Sequence, residues 1–386
     1  MRMLHTADWH LGARLIERER LEEHAAFLTW LLEVLRAERI DVLLISGDVF
    51  DAANPPQNAI ALYFDFIRRL AELKTVKTVI TGGNHDSASH LNAPRDLLRH
   101  FDVHVFGHAS HPHLVDLGDV VVAAVPFLRE RDLRQATPGE TLQTVHDHIR
   151  SAIRDHYATQ LHAARELAQA RPIIAMGHLT ALGATASDSE RDIHIGNLGA
   201  VGADVFAGFD YTALGHLHRP QKVGGLEHVR YSGSPLALSF SEAADAKSVA
   251  MVEIAPQANG LTIELLPIPT PRQLNRVKVN RATLTEDLAL VPAGCWAEVT
   301  VKMDSPEPDL DRHVREAATG RFEVLKVLAD LPASESAPWL VTVPALHDLQ
   351  PRDVFRELLK DKQIENEELE PVFDELLALH EAASLS

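Results

Sequence analysis

Five short polar clusters carry the residue types that hold divalent cations. Asp8-Trp9-His10 follows the apolar run RMLHTA, and Gly47-Asp48, with Asp51 three residues on, follows DVLLIS. Gly83-Asn84-His85-Asp86 follows VKTVIT, Gly177-His178 follows PIIAM, and Gly215-His216-Leu217-His218 follows YTAL. Carboxylate, imidazole and amide oxygen are ligands for Mn²⁺, Fe²⁺ or Zn²⁺, and no thiolate stands among them. Asp8 and His10 are two apart, as are His216 and His218, so near a strand end each pair can face one way. Glycines before Asp48, Asn84, His178 and His216 let the backbone turn sharply and come close to an ion. This set exceeds what one ion takes from protein while keeping room for water. Two ions roughly 3.5–4 Å apart, sharing a bridging carboxylate, use all of it. An ordinary solvated turn explains any one cluster, but not five of one type after five apolar runs.

Those runs must be strands for the clusters to meet. RMLHTA and DVLLIS are separated by an amphipathic helical pattern over His24–Glu38, and a second helix over Gln57–Leu73 precedes VKTVIT. VVVAAVP, PIIAMG and YTALG continue the series, with a long helical segment over Glu140–Gln169. Alternation of this kind predicts an α/β fold whose ligands bind beyond the carboxyl ends of the strands. HVRYSGSP and SVAMVEIA then read as strands without intervening helices, which points to a mixed or two-sheet arrangement. The pattern breaks at Pro267–Pro271, giving a first domain of about 1–270. A small α+β unit over about 275–343 follows, and then two helices in a C-terminal segment, 344–386.

The bulk properties are those of a globular chain. It has 386 residues, 46% of them hydrophobic and 24% charged, enough to bury a sizeable core. One cysteine, Cys295, rules out an internal disulfide and fits a reducing compartment. The N-terminus lacks a continuous apolar stretch of signal-peptide type, and no apolar run approaches the length of a membrane span. The expected location is the cytoplasm, with no membrane partner. The formal charge of −18 argues against broad coating of DNA by this chain alone.

The five clusters together resemble the calcineurin-like metallophosphoesterase superfamily, with its blocks D-x-H, G-D-x-x-D, G-N-H-[DE], G-H and G-H-x-H in order. Longer stretches, GDVFDAANPP, GNHDS, GHLTALGATASDSERDIHIG, ALGHLHRPQ and GLEHVRYSGSPLALSF, resemble the bacterial nuclease subunits of the meiotic-recombination nuclease family. The resemblance implies a metallophosphoesterase β-sandwich flanked by helices, a DNA-capping α+β domain and a helical tail. It implies that Asp8, His10, Asp48 and His218 hold one metal, and that Asp48, Asn84, His178 and His216 hold the other, with Asp48 bridging. It favours Mn²⁺, with Mg²⁺, Fe²⁺ or Zn²⁺ as other options, and a hydroxide between the ions attacking phosphorus in line. His85 is the catalytic candidate, as hydrogen-bond donor to a phosphate oxygen or general acid to the leaving 3′ oxygen. An Asp51–His85 hydrogen bond is expected to hold the imidazole and raise its pKa, although Asp51 can also serve as a simple helix cap.

The resemblance further implies a homodimer acting on DNA ends and hairpins with an SMC-like ATPase, which docks on the tail. There Val354, Leu358, Leu359, Leu369, Val372, Phe373, Leu376 and Leu377 fall at helical spacing, as fits a partner groove or packing on the chain's own domain. Arg14, Arg18 and Arg20 beside the first motif are expected to contact the DNA backbone. His104, His108, His111 and His113 cluster in sequence but lack a carboxylate partner, and are expected to form a plain surface loop. No phosphate-binding G-x-x-x-x-G-K-[ST] exists, so any ATP is bound by another chain. Two competing functions remain: a small-molecule phosphodiesterase or phosphatase with the same dimetal site, and a non-catalytic DNA-end-binding adaptor.

Overall fold

The computed structural model describes residues 1–109, 113–133, 140–190, 200–255 and 260–332, together with Phe355, Leu359, Leu369, Val372 and Phe373. Met1–Asp330 forms one compact unit and Leu331–Ser386 a second. Two six-stranded sheets dominate the first. One runs Gly260–Pro267, Ser248–Ala255, Arg2–Thr6, Val42–Ser46, Lys77–Thr81, Val103–Phe106 in spatial order. Its last four strands are parallel, and the first two pair antiparallel. The other runs Gln221–Val223, Leu226–Tyr231, Tyr211–Gly215, Ile173–His178, Val121–Ala124, Leu114–Asp116. Its four central strands are parallel and both edges antiparallel.

The side-chain period of two assigns each strand's faces. Met3, Val42, Leu44, Ile174 and Met176 point between the sheets and make the inner core. Leu4, Leu43 and Ile45 point outward, under the helices Leu21–Ala37 and Gln57–Ala71. Ile173 and Ala175 point outward under the helix Leu142–Ala168. These strands, buried on both faces, therefore read as continuous apolar runs. The two-sheet arrangement is the one expected. The strands Val103–Phe106 and Gly260–Pro267 are additional.

A third, all-parallel sheet orders Leu274–Asn280, Trp296–Lys302 and Glu323–Asp330, with helices Leu284–Ala289 and Leu310–Ala318 and its own core. It belongs to the same compact unit as the sandwich. Leu15, Phe240, Leu274 and Trp296 form a small apolar cluster that joins them. The break expected at 344 lies outside the described residues, as do Val354, Leu358, Leu376 and Leu377 of the tail stripe. In the second unit the rings of Phe355 and Phe373 stack with centroids 4.1 Å apart. No helix among the described residues is long and apolar enough to cross a membrane.

Candidate metal centre

The D-x-H turn works because its middle residue goes the other way. Trp9 is fully buried, edge-on to Phe27 and Phe66, and its Nε1 donates to Thr6 Oγ1 at 3.0 Å. With Trp9 locked in the core, Asp8 and His10 take positive φ, 53° and 47°. Asp48 (46°) and His216 (101°) share that left-handed backbone. Non-glycine residues adopt it at a cost, on the order of 1–3 kcal/mol each, and such residues cluster at functional sites. Neighbouring glycines make room. A Cβ on Gly83 would sit 2.1 Å from Asp48 Oδ1, and one on Gly215 would sit 1.8 Å from the Ser46 carbonyl oxygen.

All seven expected ligands converge at the carboxyl edge shared by the two sheets, six of them buried and Asn84 half-buried. Asp48 Oδ2 is central, 3.6 Å from His10 Nε2 and 3.3 Å from His178 Nε2. Asn84 Oδ1 lies 2.9 Å from His178 Nε2. The rings of His10 and His218 pair at 4.9 Å, and those of His178 and His216 pair at 5.4 Å. Two imidazole pairs thus stand on either side of one carboxylate. The backbone closes the cage: His216 N donates to Asp8 Oδ1 at 2.8 Å, and His85 N to Asp48 Oδ1 at 2.9 Å.

Three of the histidines have Nδ1 against oxygen: His10 against Asp51 Oδ1 (3.1 Å), His178 against the Ser46 carbonyl (3.0 Å), His218 against Ser189 Oγ (2.8 Å). Such bonds fix the tautomer and leave Nε2 as the atom able to ligate. Asp8 Oδ2 and His10 Nε2 are buried without a hydrogen-bond partner. Burial pushes the Asp8 carboxyl up, and burial alone would push His178 down, yet Asp48 and Asp8 hold it up at about 9. His216 is driven well below its ordinary value by burial. Two buried carboxylates, a proton drawn onto His178 and these orphaned atoms make a centre that divalent cations would complete in place of that proton. The residues fit two ions.

Asp51 requires a correction. His85 Nδ1 bonds at 2.7 Å to the Asp51 backbone carbonyl, whereas the Asp51 carboxylate lies against His10. His10, Asp51 and His85 still place their donor atoms within 4.8 Å of one another. The DNA-contact expectation is corrected at Arg20. It is 2% exposed, doubly bonded to Glu23 and donating to the Ala237 carbonyl, so it is an interior residue. Arg14 and Arg18 are exposed, each already paired with a glutamate, Glu19 and Glu323. The histidine-rich stretch is not a plain loop either: His104 lies on the strand Val103–Phe106 and His113 is buried, while His111 is outside the described residues.

Two residues escaped sequence reasoning. Asp86 is buried and accepts from the N–H groups of Val49, Phe50 and Gly83, which locks the second motif loop to the third. The sequence placed it in the G-N-H-[DE] block but gave it no role. Glu242 lies behind His218 and carries no motif signal at all.

Two packed, mainly parallel sheets with this ligand set at their carboxyl edge define a metallophosphoesterase. Residues 1–220 match the family model "Calcineurin-like phosphoesterase", and residues 270–363 match "Type 5 capsule protein repressor C-terminal domain". The chain is 38% identical over 330 residues to the SbcD subunit of the nuclease SbcCD from Escherichia coli strain K12, covering 82% of this chain and 81% of that one. It is 37% identical over 356 residues to the corresponding SbcCD nuclease subunit of Rhodobacter capsulatus, covering 87% and 82%. A solved dimetal phosphatase from Danio rerio is similar over 70% of this chain and 99% of that one, at 12% identity and a TM-score of 0.41. The chain belongs to the calcineurin-like phosphoesterases and, among them, to the SbcD family of nuclease subunits.

Proposed function

We propose that this chain is the metal-dependent DNA nuclease subunit of an SbcCD-type complex, cleaving phosphodiesters at DNA ends and hairpins. The observation that carries the reading is Asp48 Oδ2 set between the Nε2 atoms of His10 and His178. Asp8, His10, Asp48 and His218 hold one ion, and Asp48, Asn84, His178 and His216 the other, with Mn²⁺ as the resident metal. Two such ions supply an acidified water and neutralise phosphate charge. His85 completes the centre. Its Nδ1–H donates to the Asp51 carbonyl, so its Nε2 serves substrate: the imidazolium form carries on Nε2 the proton that a phosphate oxygen accepts or that passes to the leaving 3′ oxygen, leaving neutral imidazole. The SMC-like ATPase SbcC docks on the C-terminal segment, two copies of the nuclease chain pair, and the complex works in the cytoplasm.

The test is an end-labelled DNA hairpin incubated with Mn²⁺, Mg²⁺ or EDTA, beside His85→Ala. Cleavage that requires Mn²⁺ is expected, with loss of about 10²-fold or more in the variant at unchanged metal content. Failure to cleave, even with SbcC and ATP, alongside hydrolysis of a chromogenic diester, would assign the site to small molecules instead.

A further inference from the structure

We propose that Glu242, clamped by Lys247, is a positioning residue that sets the affinity of one of the two metal positions by holding the His218 ring; this rests on the reading of His218 as a ligand. Glu242 is fully buried, and Lys247 is 7% exposed. Lys247 Nζ donates to Glu242 Oε2 at 2.6 Å, to Ser234 Oγ at 3.0 Å and to the His218 carbonyl at 2.9 Å. One ammonium thus grips both the carboxylate and the backbone of the histidine it serves. Glu242 Oε1 lies 3.3 Å from His218 Nδ1. On the backbone side, His218 N donates to Glu190 Oε1 at 2.7 Å.

The donor count fixes the tautomer. An ionised carboxylate only accepts, so the Ser189 hydroxyl that reaches Glu242 must donate to it, while Ser187 Oγ has a nearer carboxylate in Glu190 Oε2 at 2.6 Å. Ser189 Oγ, its hydrogen spent on Glu242, can only accept from His218 Nδ1 at 2.8 Å. Whether Nδ1–H goes to Ser189 or directly to Glu242, the proton sits on Nδ1. The Nε2 lone pair then faces the cage. A neutral group at 242 removes this constraint, because the serine can then reverse.

Stability alone does not account for the pair. A buried ion pair is often no more stabilising than apolar side chains of similar volume. What it provides here is direction: Lys247 and Glu242 converge on the two ends of His218. The turn that bears the carboxylate, Phe240–Glu242, is itself anchored, with Phe240 buried against Leu15, Leu274 and Trp296. Glu242 therefore has little freedom to follow a displaced ring.

The test compares the full chain with Glu242→Gln and with the double variant Glu242→Gln/Lys247→Met. Free Mn²⁺ is followed by electron paramagnetic resonance during titration, and thermal melting is recorded in EDTA. Two Mn²⁺ equivalents are expected for the unmodified protein. Glu242→Gln should weaken one of them by about 10-fold or more and leave the other. The double variant, which removes the stranded ammonium, should recover the melting temperature but not the lost affinity. Recovery of both in the double variant would make the pair merely structural and overturn the proposal, as would two wild-type affinities in Glu242→Gln. Fewer than two equivalents in the unmodified protein would sink the dimetal reading, and the proposal with it.

Discussion

Asp51→Asn separates two roles that one carboxylate could play. In the structure Asp51 Oδ1 lies 3.1 Å from His10 Nδ1, while His85 Nδ1 bonds to the Asp51 backbone carbonyl, which the substitution keeps. A hydrogen bond to a charged acceptor is worth about 1.5–3 kcal/mol and a neutral one about 0.5–1.5 kcal/mol. The difference is on the order of 1 kcal/mol. Because the Asp51 side chain is 40% exposed, solvent screens part of it. The metal position served by His10 should therefore weaken by roughly 3- to 5-fold, a factor of ten being 1.4 kcal/mol. The other position should not change, and kcat at saturating Mn²⁺ should stay near that of the unmodified protein. Mn²⁺ titration followed by electron paramagnetic resonance gives the affinities, and hairpin cleavage gives kcat. Unchanged affinities with a fall in kcat would refute this reasoning and return the carboxylate to His85.

Gly83→Ala places a methyl 2.1 Å from Asp48 Oδ1 and 2.3 Å from Asp48 N, so the two motif loops must part. It should cost about 1–3 kcal/mol of stability and most of the bound metal, and a variant with full metal content and activity would contradict the packing described. In the metal-free protein, the His178 pKa is raised from 6.5 to about 9, and that of Asp8 is also raised. Each folded-state group holds its proton to higher pH than the unfolded chain, so the His178 share of stability is present below pH 6.5 and lost as pH rises through 9, while the Asp8 share is present below pH 3.8 and lost as pH rises through about 7. The melting temperature in EDTA should fall across that window and should fall less with saturating Mn²⁺, since ligation takes the deprotonated forms. A flat profile in EDTA would argue against the protonated His178.

The candidate residues were brought together as expected because their signal is local. Each cluster follows an apolar run, and a parallel sheet delivers all such ends to one edge. Asp51 was misjudged because its contact with His85 runs through a backbone carbonyl, which has no residue-type signature. Arg20 looked like a cation near the site. Its partner Glu23 stands three residues on, at helical spacing, but only the burial of both, 2% and 5% exposed, shows that the pair is interior. Glu242 could not be found by motif, since it acts on a histidine 24 residues earlier through a turn that folds back beneath it. The strand Gly260–Pro267 was missed because its burial alternates with solvent exposure at the sheet edge and leaves no apolar run.

The centre is not a finished piece of the fold to which ions are added. Four of its residues hold left-handed backbone, and Asp8 and Asp48 are both buried, within a cage whose nearest basic groups are histidines. Either feature alone raises the energy of the folded chain. The surrounding packing keeps them in place: Trp9 wedged between Phe27 and Phe66, Asp86 tying three backbone N–H groups, and Lys247 gripping His218 through Glu242. None of these is a candidate ligand, and each fixes the backbone or ring of one. The cations return the missing charge, so the binding free energy of the ions is also folding free energy for the five turns that hold them.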